Sequence, residues 1–282
     1  MTVSKDDVRS EGPEQTERQP GVLRSNVEKK LKNMTEMLHF IGQVFRAMPR
    51  TAAYSSEVFR QVGVLILSSG FVVVFIQLVS GFIFAMQGHY IMRQFGATGY
   101  VSVFPAWGGL RFSVPEMAGW ILAAKVGCGL VAEIGSARIS DEIDALEVMG
   151  VDSKVYMVAT RALAAIIVMP SLFVIGLFLY YLGAYVANVH LLHTVSEGGF
   201  LTVLWLLQNV KDMIYSMIFG MICGITVIMV GCYYGYNVSG GPVGVGQNTA
   251  KSMVVNMVMV SLVGLTCGTL FWGGDPNAPI GN

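Results

Sequence analysis

The densest group of reactive side chains in the sequence is the run Glu133-Ile134-Gly135-Ser136-Ala137-Arg138-Ile139-Ser140-Asp141-Glu142-Ile143-Asp144-Ala145-Leu146-Glu147-Val148-Met149-Gly150-Val151-Asp152. Ser140 is a natural N-cap, and Asp141, Glu142 and Asp144 fall in the first helical turn, where the helix dipole favours negative charge. Ile139, Ile143 and Leu146 share one face, while Asp141, Asp144 and Glu147 mark another. Gly150 suits a left-handed helix end. The spacing predicts a short, acidic, capped helix. Such a helix is either a rigid knob that carries force from a groove in another protein or an ordinary connector.

Other candidate chemistry is weaker. Gly241-Pro242-Val243-Gly244-Val245-Gly246 has the glycines of a phosphate loop, but Gln247-Asn248 follows instead of Lys-Ser/Thr and no strand pattern precedes it. It is not read as a nucleotide site. His190 and His193 have metal-ligand spacing, yet nothing acidic lies within three residues of either, and no metal site is predicted. No Ser/His/Asp or Cys/His arrangement stands out. Catalytic residues are therefore not expected. Cys128, Cys223, Cys232 and Cys267 each lie in an apolar stretch and read as small packing residues.

The elements that must position the acidic run are membrane spans. Of 282 residues, 54% are hydrophobic and only 13% charged, about half the charged share of a soluble domain. Ten of the eighteen Lys+Arg and eight of the eighteen Asp+Glu lie in residues 1–60. Net charge is zero, which argues against a nucleic-acid partner. Residues 1–24 are polar and read as a disordered tail. Residues 25–60 repeat apolar side chains (Val27, Leu31, Met34, Leu38, Ile41, Phe45) every three to four positions among basic ones. They read as an amphipathic interfacial helix or a helix packed on a partner protein. Five spans follow, near 62–88, 112–135, 156–187, 213–236 and 250–272. Inside segments would then hold the ten N-terminal cations plus Arg138, Lys154 and Lys251, against Arg93, Arg111 and Lys211 outside. That asymmetry predicts a cytoplasmic N-terminus and an extracytoplasmic C-terminal tail, 275–282. The fold class is all-α integral membrane.

The stretch AEIGSARISDEIDALEVMGVD (132–152) resembles the signature of the MlaE/YrbE permease family. Gly235-Tyr236, Gly240-Gly241 and Gly244-Val245-Gly246 resemble that family's Gly-rich loop, as do Gln87-Gly88 and Gly96-Ala97 at the end of the first span. The resemblance covers roughly residues 30–272, and the long polar N-terminus looks more like the actinobacterial YrbE subunits that work with Mce proteins. It implies a permease domain over 61–274 in which 139–149 is the coupling helix that docks onto an ABC ATPase. Glu133, Ile139, Asp141, Glu142, Ile143, Asp144, Leu146, Glu147 and Asp152 would make that contact. Gln87, His89, Arg111 and Glu116 become candidates for the lipid path, Arg111 first.

The resemblance further implies a second permease chain, a cytoplasmic ATPase dimer and Mce-domain lipid-binding proteins as partners. ATP and Mg would be bound by the ATPase, with no cofactor in this chain. The cargo would be a fatty acid, sterol or phospholipid-like lipid in the cytoplasmic membrane, with import the direction of the actinobacterial branch. Where the family commonly has Arg-Glu-Leu-Gly-Pro, this chain reads Arg111-Phe112-Ser113-Val114-Pro115-Glu116. Lys125 replaces a usual Arg and loses its planar fork, and Gln247-Asn248 replaces a basic residue and Ala. These departures suggest a pair of unlike permeases. Glu116, Lys125 and Glu133, charges within the second span, either pair with other helices or line and brace the path. A stand-alone secondary transporter or channel is the rival reading, but paired inverted repeats are not visible.

Overall fold

A computed structural model describes residues 20–274; the expected C-terminal tail, 275–282, and residues 1–19 of the expected N-terminal tail lie outside the described residues. The described residues form helices and turns and no strand. They fall into two compact units divided between His39 and Phe40. In the first, the chain is already helical from Pro20, the opening residue of α1 (Pro20–Ala47). Residues 20–24, read as the end of a disordered tail, are therefore helical, since proline's fixed φ suits a first turn.

In the second unit, Phe40 and Val44 of α1 are buried in the main core, and Phe45 stays exposed. The helix expected over 25–60 does not run through. Pro49 brings a tight 3-10 turn, Met48–Tyr54, in which the Thr51 hydroxyl donates to the Met48 carbonyl at 2.6 Å. After it comes α2 (Ser55–Gln94). The remaining elements are α3 (Thr98–Ile139), α4 (Glu142–Val148), α5 (Val155–Leu191), α6 (Glu197–Leu206), α7 (Val210–Tyr236) and α8 (Gly241–Trp272).

Among the described residues five helices are long and apolar enough to cross a membrane, those ending in α2, α3, α5, α7 and α8, and the chain is a multi-pass membrane protein. Two of them, α3 and α8, start well before the expected spans. α3 starts at Thr98, well before 112, because the glycine- and proline-bearing stretch through Gly108-Gly109 coils as a π-helical segment, Phe104–Ser113. Packing overrides propensity there: a Cβ built at Gly109 would lie 2.2 Å from the Tyr180 ring. α8 starts at Gly241, so the expected Gly-rich loop shrinks to a turn around Gly240 (φ 86°), with Pro242 in the first helical turn. α6, which hydropathy alone does not count as a span, is capped by the Ser196 hydroxyl accepting from the Gly199 N–H at 3.3 Å. It buries Phe200 and Leu204 and leaves Trp205 and Leu206 exposed.

The spans touch through glycine. A Cβ at Gly81 of α2 would lie 1.9 Å from the Tyr180 carbonyl oxygen, and one at Gly183 of α5 would lie 2.2 Å from that of Leu78. Gln77, fully buried at the same seam, donates to the Val114 carbonyl of α3 at 2.8 Å. Between α3 and α8, Gly119 faces Val260, Gly127 faces Asn256, and Gly268 faces Phe112. Gly231 and Gly235 of α7 lie on the backbone of α3 at Gly127 and Leu130. These close contacts are intramolecular. Cys223, Cys232 and Cys267 are buried and free, and Cys128 is half-buried.

Adding one methyl group at Gly81 or Gly183 therefore forces two backbones apart, and overpacking of this kind costs about 3 kcal/mol or more. Gly81→Ala and Gly183→Ala should strip most folded protein from detergent extracts. Gly63→Ala, where a Cβ would meet nothing within 4 Å, should behave as wild type. Monodisperse yield and thermal unfolding of the three variants check this.

Candidate functional site

The acidic run leaves the membrane bundle as α4 and returns at once. It is not one rod over 139–149. Ile139, 37% exposed, is the last residue of α3, and the chain breaks at Ser140-Asp141, where Asp141 adopts a left-handed φ of 57°. Ser140 does not cap α4. Its hydroxyl donates back to the Ser136 carbonyl at 3.0 Å and lies 3.2 Å from Glu142 Oε1. The far end closes as foreseen. Gly150 (φ 78°) lets its own N–H reach the Glu147 carbonyl and the Val151 N–H reach that of Leu146, each at 3.0 Å.

Four groups hold α4 against the bundle. Ile143 is fully buried in the main core, and Leu146 packs against it. Asp144 Oδ1 accepts from Arg138 Nη1 of α3 at 2.5 Å, and that guanidinium lies 5.8 Å from the Tyr236 ring centre. Glu147 Oε1 accepts from the Ser153 hydroxyl at 2.7 Å and from Tyr236 at 3.2 Å, and those two hydroxyls are 2.9 Å apart. Asp152 caps α5 by accepting from the N–H groups of Lys154 and Val155 at 3.2 and 3.3 Å, with Arg50 at 3.8 Å. Glu133 Oε1 accepts from Arg161 Nη2 of α5 at 2.5 Å, a cation buried apart from this contact and its bond to the Met157 carbonyl. Hence Asp144 and Glu147, though exposed, tie α4 to Arg138 of α3, Ser153 before α5 and Tyr236 of α7, while Glu133 joins α3 to α5. Asp141 and Glu142 stay exposed, as do two apolar residues not singled out from sequence, Val148 at 89% and Met149 at 69%.

A cleft of about 600 Å³ opens beside α4, lined by Arg46, Arg50, Lys154, Glu147 and Asp152 among others. Lys154 Nζ donates to Gln43 across it at 2.9 Å. On the opposite side of α4's base a smaller recess of about 370 Å³ holds Glu57, Arg60, Glu133, Glu142 and Arg161.

The four path candidates do not converge. Gln87 is exposed near the other end of α2, while His89, two positions on, is buried with Nδ1 unpartnered. Arg111 is 7% exposed and bonds Asp212 Oδ2 through Nε at 3.1 Å and Nη2 at 2.6 Å. Asp212, only 1% exposed, also accepts from Trp272 Nε1 at 3.1 Å, and the Trp107 and Trp272 rings flank the guanidinium at 5.1 and 5.7 Å. Arg111 is thus a buried clasp between α3, α7 and α8, not a free side chain at an open mouth. The low-charge flank of α7 hid its partner, for a carboxylate one residue after a lysine reads as a surface pair. Glu116 is half-buried where α3 meets Gly264 of α8. Among the described residues no group of three His, Cys, Asp or Glu could hold a metal ion.

Residues 58–270 match the family model described as Permease MlaE. A probable ABC transporter permease protein of Rickettsia prowazekii is 28% identical over 78% of this chain and 84% of its own length. The intermembrane phospholipid transport system permease protein MlaE of Haemophilus influenzae is 25% identical over 76% and 83%. The chloroplastic protein TRIGALACTOSYLDIACYLGLYCEROL 1 of Arabidopsis thaliana is 24% identical over 76% of this chain and 59% of that protein.

Two tests follow from the geometry. Arg111→Ala should cost about 3–5 kcal/mol by stranding the buried Asp212 carboxylate, and Arg111→Met with Asp212→Leu should recover much of it; thermal unfolding in detergent reads both. The Glu147 carboxyl is held below the usual carboxylate range, first by the Ser153 hydroxyl and then by Tyr236. A lowered folded-state pKa gives stabilisation that is complete above the ordinary value near about 4.3 and fades as pH falls through the lowered one. Hydrogen exchange in 142–151 should therefore rise, relative to the spans, only below that ordinary value, and Glu147→Gln should remove the step.

Proposed function

Because the chain belongs to the MlaE permease family, we propose that it is the membrane-spanning subunit of an ABC-type lipid transporter, worked by a separate ATPase through α4. The chain is an ABC transporter permease. The reading adds the cargo, the motor and the direction. A lipid cargo is supported by the Haemophilus relative, whose name makes it part of an intermembrane phospholipid transport system. ATP and Mg are assigned to the ATPase dimer, and two permease chains are taken to stand side by side above it. Extracytoplasmic lipid-binding proteins of the Mce type would pass cargo at the other face, with import as the direction. The Lys/Arg asymmetry of the segments puts the α4 end in the cytoplasm.

The observation that carries the motor contact is the tip of α4. Val148 and Met149, at the C-terminal end of α4, are almost bare though outside the spans, and Asp141 and Glu142 at its N-terminal end are exposed as well. An apolar tip with an acidic opposite end fits a partner's groove edged with basic residues. The bonded groups make the tip useful. Asp144 pulls on Arg138 of α3, and Glu147 pulls on Tyr236 of α7 and on Ser153 beside α5. Closure of the ATPases would move α4, and through these contacts a movement of α4 would reach the end of α7 and the start of α5. No nucleotide chemistry is required of this chain.

Val148→Asp combined with Asp141→Lys should cut capture of ATP-hydrolysing activity by the affinity-tagged transporter at least tenfold, with extraction yield and thermal unfolding unchanged. Undiminished capture would remove α4 as the motor contact.

A further inference from the structure

The cleft beside α4 gathers three cations from two distant parts of the chain. Arg46 lies in the last turn of α1, Arg50 in the 3-10 turn that follows, and Lys154 immediately before α5. All of its lining belongs to the second unit. The two carboxylates of the lining leave these cations largely uncompensated. Glu147 is engaged by the Ser153 and Tyr236 hydroxyls. Asp152 caps α5 and reaches Arg50 only at 3.8 Å, between exposed side chains, where an ion pair contributes little. Among the described residues Arg46 makes no hydrogen bond or ion pair. The recess on the opposite side of α4's base has the contrary arrangement. There Arg60 is held by Glu57 and Arg161 by Glu133, and Glu142 adds a third carboxylate. Cations are committed on one side of α4 and available on the other.

Depth decides what these cations meet. α2 starts at Ser55 and α5 at Val155, so Arg50 and Lys154 stand just before two spans enter the bilayer, at the level of lipid headgroups. Phe45, next to Arg46, stays exposed, an apolar side chain placed where acyl chains begin. A cleft of about 600 Å³ has room for a small headgroup. Two guanidinium forks and an ammonium match the oxygens of a phosphate. From this geometry we infer that the cleft holds the phosphate of an anionic phospholipid from the leaflet on the α4 side, with Arg46, Arg50 and Lys154 as its ligands. The bound headgroup joins the end of α1 to the start of α5, beside the Glu147 contacts. It is a lipid of the surrounding membrane, and the site stands whatever cargo the permease moves.

The full-length chain is reconstituted in phosphatidylcholine nanodiscs carrying increasing shares of phosphatidylglycerol, and hydrogen exchange is followed in 43–54 and 150–155. Phosphatidylglycerol should slow exchange in both segments together. Arg46→Gln alone should raise the half-saturating share about fivefold, and Arg50→Gln and Lys154→Gln should each raise it further. Arg46 has no partner to lose, so its variant keeps the fold and carries the test by itself. Lys32→Gln and Lys251→Gln, which remove exposed cations outside the cleft, should leave the titration unchanged. Equal titrations for wild type and Arg46→Gln would overturn the site. Protection by inorganic phosphate in pure phosphatidylcholine, as strong as that by phosphatidylglycerol, would overturn the lipid as its source. Protection that needs the co-purified ATPase and ignores lipid composition would overturn it in favour of the motor.

Discussion

Inside a bilayer, apolar side chains gain little by leaving lipid for protein, so spans must be held by how closely their backbones fit. Here that fit is set by glycine. Gly81 and Gly183 place α2 and α5 in direct backbone contact, and Gly127, Gly231 and Gly235 do the same for α3 and α7. Dispersion falls off steeply with separation, so an extra methyl at such a crossing loses contact along the whole seam. Everything with a charge is arranged around this framework. Buried polar groups are admitted where a partner is at hand, as with Gln77 and the Val114 carbonyl, or the Arg111–Asp212 clasp bridging three spans.

That framework divides the labour between the ends of the bundle. At the Trp272 end, charge is buried and committed: Arg111, Asp212 and the two tryptophans form a closed cluster. At the α4 end the ion pairs and hydroxyl contacts lie mostly at the surface, where water weakens each one. Weak, exposed contacts suit a joint. A clasp resists motion, whereas the Glu147, Ser153 and Tyr236 cluster can shift by small amounts while keeping its partners in reach.

Much of this was legible in the residues. The five spans and the glycine stop at Gly150 follow from hydropathy and turn chemistry. What was not legible came from tertiary contact. Hydropathy places the second span from 112 and the glycines of 240–246 resemble a Gly-rich loop, yet helix begins at Thr98 and Gly241, where the Tyr180 ring packs on Gly109 and Pro242 suits a first turn. The acidic run read as one rod because its apolar spacing is unbroken; only the left-handed Asp141 shows the hinge. Arg111 looked like a free cation because Asp212 is about a hundred positions away, and pairing at that range leaves no trace in local spacing.

The hinge at Ser140-Asp141 changes what the α4 contact can transmit. A straight continuation of α3 would pass a push along its own axis and little else. Broken there, and tied by Glu147 to Tyr236 at the end of α7 and to Ser153 before α5, α4 would act in the proposed coupling as a lever with one short arm and two tethers. Rotation about the hinge would then pull Tyr236 and Ser153 together while α3 stays seated through Ile143 and the Arg138–Asp144 pair. Under the proposed coupling, the carboxylates bonded to the spans would matter as much as the residues that meet a motor. Partners, not burial, divide the run: Asp144 and Glu147 are exposed yet bonded to Arg138, Ser153 and Tyr236, whereas Val148 and Met149 stand bare.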